Sequence, residues 1–120
     1  MASRDYRQLE VWQKAHEFVL DLYQATRQFP DDERFGLTSQ LRRAGLSIPS
    51  NIAEGCGRGG QSELARFMQM AGGSASEAHY QVLLARDLQY LDEAHADAML
   101  EQAQRIGRML SAYRDRLTDR

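Results

Sequence analysis

Two stretches of the sequence pair glutamate with histidine, and both residue types can bind a metal ion. The sequence reads "EAH" at residues 77–79 and again at 93–95. In helical bundles, carboxylate-bridged metals are held by Glu-x-x-His, whose two side chains share one helix face. Side chains two residues apart point about 200° apart on a helix, so a Glu-x-His pair cannot bind one metal together. The spacing therefore favours no metal site and no cofactor.

The single cysteine, Cys56, is the next candidate for chemistry, as a nucleophile. A reactive cysteine needs a base and a site that stabilises its thiolate. Arg58 is near it in sequence, but no histidine is. The pattern favours a small packing residue. Because no serine, histidine and acid arrangement can be nominated either, we expect no enzymatic activity.

A glycine-rich stretch, "GRGGQS" at residues 57–62, could bind phosphate. Such loops do so when their N–H groups lead into a helix N-terminus, and Ser62 is a candidate N-cap. The lysine, the spacing and the preceding strand of a P-loop are absent. The favoured alternative is a helix C-cap followed by a flexible turn.

Positive charge is concentrated in one part of the chain. Residues 36–66 carry a net charge of +2, whereas residues 1–35 and 67–120 each carry −2 and the whole chain −2. Proteins that bind nucleic-acid phosphates are usually basic, at least locally. The candidate residues for binding nucleic acid or another partner are Arg42, Arg43, Arg58 and Arg66. The net acidic charge weakens the case for nucleic acid.

Apolar residues recur at steps of three and four, which predicts an all-α protein. Four helices are expected at about 5–28, 37–57, 63–90 and 92–117, with Asp5 and Asp92 as N-caps. Their short connections predict an antiparallel up-and-down four-helix bundle that forms a single domain over residues 1–120. No apolar run is long enough to span a membrane and no signal peptide is recognised, so we expect no membrane association and a cytoplasmic location.

The second helix has two unusual features. Pro49 lies inside it and removes the helical bond of the carbonyl four residues earlier, which predicts a kinked helix that continues to Gly57. Besides its inward stripe, the helix also carries a second apolar face. An unpartnered apolar face marks an interface. The candidate subunit interface consists of Leu46, Pro49, Ala53 and Cys56.

Three stretches carry a resemblance to a known family: "QLEVWQKAHEF", "LTSQLRRAGLSIPSNIAEGCGR" and "MAGGSASEAHYQVLLARDLQYL". Together they resemble the four-helix-bundle proteins associated with intervening sequences in bacterial 23S rRNA genes, over residues 5–91. The accessory proteins of diversity-generating retroelements are similar. The resemblance implies an antiparallel bundle that assembles into a ring, usually a homopentamer, without enzymatic activity. In the retroelement branch it also implies binding to a reverse transcriptase and to nucleic acid through a basic surface, and this net acidic chain departs from that branch.

The residues that match the family's pattern include polar side chains on the second and third helices. We interpret them as a structural network between these helices, ordered by Arg43 or Arg58. The candidate network consists of Ser47, Asn51, Glu54, Ser74 and Glu77.

Two functions remain open. The first is a non-enzymatic oligomeric scaffold or adaptor that binds another protein, which the second apolar face of the second helix favours. The second is an RNA- or DNA-binding accessory protein that uses an arginine patch on the assembled ring, where symmetry repeats each arginine.

Overall fold

The computed structural model describes residues 4–118, which form four α-helices and no strand. The helices are α1 (Glu10–Thr26), α2 (Leu37–Arg58), α3 (Gln61–Asp87) and α4 (Glu93–Thr118). Short 3-10 turns, Tyr6–Gln8 and Asp31–Glu33, precede α1 and α2. The described part is an elongated body of 46 × 22 × 19 Å. The expected all-α four-helix bundle is confirmed.

Side-chain contacts give the order of the helices around the bundle. Gly55 lies against Phe67, and Ser47 bonds Ser74, so α2 and α3 run antiparallel. Helix α1 contacts α2 and α4, and α3 contacts α2 and α4. Within residues 4–118, no Cα atom of α1 lies within 8 Å of one in α3, and the same holds for α2 and α4. These two pairs therefore lie diagonally across the bundle.

One hydrophobic core runs along the bundle axis and receives side chains from all four helices. Phe18 and Leu22 of α1 are fully buried there, as are Ile48 and Ile52 of α2. Each such side chain contributes about 1.5–3 kcal/mol through its removal from water. Glycine permits the closest helix contact, because a Cβ on Gly55 would stand 2.8 Å from the Cβ of Phe67.

The helix ends differ from the sequence expectations at two positions. Helix α1 begins at Glu10 and not near Asp5, because Leu9 is extended; Asp5 instead caps the first 3-10 turn by accepting from the Arg7 N–H at 3.0 Å. Helix α3 begins at Gln61 and its N-cap is the extended Gly60, two positions before the expected cap Ser62. Asp92 does cap α4, since its carboxylate accepts from the His95 N–H at 3.1 Å.

Helix α2 continues through Pro49 to Arg58, so the predicted continuation is confirmed. It ends where Gly59 adopts a left-handed conformation with φ of 86°, which glycine tolerates without a Cβ penalty. The stretch "GRGG" is thus the end of α2 and a two-residue link to α3. The kink at Pro49 stays a prediction. No described helix is both long and apolar enough to cross a bilayer.

Candidate interaction surfaces

A groove of about 370 Å³ lies where the end of α1 meets the first half of α2. We call it the arginine groove. It combines three cations with exposed apolar side chains, and no carboxylate lines it among the described residues. Its lining consists of Tyr23, Arg34, Phe35, Thr38, Ser39, Arg42, Arg43 and Leu46.

The three guanidinium groups of this groove are held differently. Arg42 donates from Nε to the Thr26 hydroxyl at 2.8 Å and lies 4.7 Å from the Tyr23 ring centre, so its position is fixed. Arg34 covers the ring of Phe35, which is 85% exposed. Arg43 is exposed and forms no hydrogen bond or ion pair with residues 4–118. The Arg34 side chain likewise forms no hydrogen bond or ion pair with residues 4–118, so the groove offers two cations, Arg34 and Arg43, that can pair with another molecule.

The other two candidate arginines lie at the opposite end of α2. Arg42 and Arg58 are 16 positions apart, which is about 24 Å along a helix. Arg58 pairs with Glu54 at 2.8 Å, and Arg66 pairs with Glu63 at 3.1 Å. The hydrogen bond from Arg66 holds the pKa of Glu63 below its ordinary value. One chain therefore does not bring the four arginines into a single patch, and two of them are neutralised locally.

Three residues of the expected polar network do meet. Asn51 donates from Nδ2 to the Ser47 carbonyl at 2.8 Å and to the Ser47 hydroxyl at 2.9 Å. Ser74 of α3 donates to that same hydroxyl at 2.9 Å. This Ser47–Asn51–Ser74 network joins α2 to α3.

The two glutamates expected in the network have other partners. Glu54 pairs with Arg58, and Glu77 accepts from the Gln81 amide at 3.3 Å. Gln81 is buried, and its Oε1 has no hydrogen-bond partner within the described chain. The polar contacts between α2 and α3 are therefore the serine–asparagine link and, near the end of α2, the pair between Arg58 and Glu63 at 4.0 Å, which do not form one continuous ladder.

The candidate subunit interface on α2 is narrower than the sequence suggested. Leu46 is 47% exposed and Ala53 is half-buried, but Pro49 and Cys56 are buried within the chain. The segment before α1 reaches the backbone at Cys56, where the Arg4 N–H donates to the Cys56 carbonyl at 3.3 Å. Burial raises the pKa of the Cys56 thiol, as expected for a packing residue. Of the four residues, only Leu46 and Ala53 reach the surface of a single chain.

Sequence reasoning missed the outward face of α3. Met70, Tyr80 and Leu88 are all more than 40% exposed there, although each is large and apolar. Their positions follow the three- and four-residue steps of one helix stripe, 70, 73, 77, 80, 84 and 88, which was the available signal. Leu20 and Tyr23 are exposed on the diagonal helix α1. Apolar surface therefore lies on opposite sides of the bundle.

A second, larger groove of about 910 Å³ lies on the surface between α3 and α4. Gly72, Gly73 and Gly107 line it, and a Cβ on any of them would meet nothing within 4 Å. His79, Arg108 and Arg114 also line this groove. Among residues 4–118, no three His, Cys, Asp or Glu side chains are grouped to hold a metal ion.

Comparison with known proteins identifies the family. The family model of the 23S rRNA-intervening sequence protein matches residues 7–112, nearly the whole chain. The chain belongs to the 23S rRNA-intervening sequence protein family. No curated protein matches it.

A solved structure similar to this intervening-sequence protein shares its fold. That structure is a protein of unknown function from the S23 ribosomal protein family of Bacteroides thetaiotaomicron VPI-5482. It is 20% identical, with a TM-score of 0.78 over 85% of this chain and 95% of the other. At this identity the likeness concerns the helical architecture alone, and the function has to be argued from the surfaces.

Proposed function

We propose that this intervening-sequence protein is a non-enzymatic scaffold or adaptor that assembles into a ring of identical chains and binds another macromolecule. The observation that supports assembly is the unpartnered apolar surface on the diagonal helices α1 and α3. Burial of exposed apolar side chains is the main driving force for association. The number of subunits, five, comes from the family resemblance.

Two different apolar surfaces on opposite sides favour a head-to-tail arrangement. A two-fold dimer uses one self-complementary surface, whereas a contact between two different surfaces leaves one of each kind free. Repetition of that contact continues until the ring closes. The opposed positions of Leu20 and Tyr23 on α1 and of Met70 and Tyr80 on α3 therefore support a ring.

The assembly is tested with variants of the outward face of α3. Tyr80→Gln combined with Leu88→Gln removes apolar surface at two exposed positions, where the folded chain tolerates polar side chains. Gel filtration should show a smaller species than the wild type at equal concentration. Ala112→Gln, at an exposed position near the end of α4, is the matched control and should leave the elution volume unchanged. An unchanged elution volume for the double variant would show that this face of α3 takes no part in assembly.

A second candidate function is binding of single-stranded nucleic acid, which the arginine groove supports. Exposed aromatic rings beside arginines suit stacked bases and phosphates. Fluorescence anisotropy with a labelled oligonucleotide at increasing salt tests it. Phosphate contacts predict a steep fall of affinity with salt and a weaker slope for Arg43→Ala, whereas Arg66→Ala, which removes a locally paired arginine, serves as the control. No binding at low salt would exclude this function.

A further inference from the structure

Charge is separated along α4. Residues 92–101, which are Asp92 and the first nine residues of α4, contain four carboxylates and no lysine or arginine, whereas residues 102–118 contain four arginines and one carboxylate. Asp97 pairs with Arg86 of α3 at 3.0 Å. Glu93 and Glu101 are exposed and form no ion pair with residues 4–118. We call residues 93–101 the acidic half of α4.

The acidic half of α4 also has room for a close neighbour. Ala94 and Ala98 are exposed between its carboxylates, so only methyl groups rise from the helix there. A helix surface of this kind lets another chain approach while the longer glutamates reach past it. The exposed side chains of Leu46 and Phe35 in the arginine groove are apolar and can pack against these methyl groups.

The arginine groove carries the opposite charge. From residue 34 to residue 53 the chain contains three arginines and no carboxylate. Arg43, which has no partner within the described chain, lies at the exposed edge of α2. The two surfaces are therefore complementary in charge, and each retains unpaired charged groups.

These two surfaces lie at the same end of the bundle but on opposite sides. The Tyr90 hydroxyl donates to Glu33 at 2.9 Å, and Tyr90 packs on Phe29 with ring centres 5.5 Å apart. These contacts bring the connection between α3 and α4 against that between α1 and α2. Helices α2 and α4 are diagonal, so the surfaces cannot meet within one chain.

We propose that the arginine groove of one chain binds the acidic half of α4 of the next chain. The inference rests on the proposed assembly and adds a charged contact to the apolar surfaces of α1 and α3 on which that assembly was argued. Parallel copies placed side by side bring the two surfaces together at one height, and each copy then presents a free groove on one side and a free α4 on the other. Arg43 pairs with Glu101 or Glu93 of the neighbour, and the apolar groove residues pack against Ala94 and Ala98.

Charge reversal tests the pairing. Arg43→Glu and Glu101→Arg each place like charges across the interface, so each should raise the dissociation constant of the assembly on the order of tenfold or more. Both residues are exposed, and circular dichroism verifies that each variant folds. Arg116→Glu, the same change of charge near the other end of α4, is the control and should assemble as the wild type does.

The combination of the two variants is the decisive arm. The double variant Arg43→Glu with Glu101→Arg again places opposite charges across every contact of the ring, so it should assemble as the wild type does. Light scattering measures the mass in each case. Wild-type assembly should also weaken as salt rises, because partly exposed charge pairs are screened.

The experiments distinguish a wrong interface assignment from a wrong proposed function. If the wild type assembles but neither single variant loosens it, or if the double variant stays dissociated, the interface assignment is wrong and the scaffold function stands. A monomeric wild type overturns both. If Arg43→Glu abolishes oligonucleotide binding while the assembly keeps its mass, the groove serves nucleic acid and the inference is overturned.

Discussion

The hydroxyl of Tyr90 donates to Oε2 of Glu33 at 2.9 Å and thereby joins two connections that are 57 residues apart in sequence. The other carboxylate oxygen of Glu33 accepts from the Leu37 N–H at 3.0 Å, at the first residue of α2. One side chain thus caps α2 and ties the start of α2 to the end of α3. These contacts also bring the arginine groove and the acidic half of α4 to the same height.

Acid should loosen this tie. The hydrogen bonds from Leu37 and then Tyr90 hold the pKa of Glu33 below its ordinary value of 4.5. A carboxylate with a lowered pKa stabilises the fold above its unfolded-state pKa, and that stabilisation is lost as the pH falls through the folded-state value. Glu33→Gln should therefore lower the melting temperature at pH 7, and the difference from the wild type should shrink toward pH 3.

Thermal unfolding followed by circular dichroism measures this difference. Glu17→Gln is the control, because Glu17 is exposed and accepts no hydrogen bond within residues 4–118. A gap between wild type and Glu33→Gln that is as large at pH 3 as at pH 7 would contradict the role assigned to the Glu33 carboxylate.

Substitution by alanine should change the stability of the fold in opposite directions at two glycines. A Cβ on Gly55 would stand 2.8 Å from the Phe67 Cβ and 3.1 Å from Leu64, whereas one on Gly73 would meet nothing within 4 Å. Gly55→Ala should destabilise the fold by about 1–3 kcal/mol through overpacking. Gly73→Ala should stabilise it by up to about 1 kcal/mol through helix propensity. Urea unfolding at one fixed protein concentration measures both, and equal signs for the two variants would contradict the packing described.

The serine link between α2 and α3 should appear as a coupling energy. Ser74 donates to Ser47 at 2.9 Å, so a double-mutant cycle with Ser47→Ala and Ser74→Ala should give about 0.5–1.5 kcal/mol. The same cycle between Ser50, which is exposed on α2, and Ser74 is the control and should give no coupling. Additive effects of Ser47→Ala and Ser74→Ala would mean that the link does not hold the helices together.

Cys56 should react slowly with thiol reagents in the folded protein. Its side chain is buried, and burial raises the pKa of the thiol, so little thiolate is accessible at neutral pH. The rate with a disulfide reagent, followed by absorbance, should be much lower in buffer than in concentrated urea. Equal rates in the two solvents would show that the Cys56 side chain is not buried in the folded protein.

Helical periodicity predicts this fold well because each helix of the bundle buries one stripe of side chains. The inward residues of α2, such as Leu41 and Ile52, were recognisable from spacing alone and are fully buried. The burial of Pro49 and Cys56, by contrast, could not be predicted from spacing. Their burial depends on tertiary packing, which the spacing of residues within one helix does not reveal.

The surfaces were harder to predict than the fold. Helix length alone separates Arg42 from Arg58 by about 24 Å, so their common location on one helix did not make them one patch. The exposed face of α3 was overlooked because its inward stripe accounts for most of its apolar residues. Tyr80, at 59% exposure, is one of the large side chains that give α3 an outward apolar face.

The mass of the wild-type protein in solution tests the central claim most directly. Light scattering at micromolar concentration and low salt should give a mass five times that of the 13.7 kDa chain, and the mass should fall as salt is raised. A stable mass of 13.7 kDa under these conditions would contradict the proposed assembly and, with it, the interface between the arginine groove and α4.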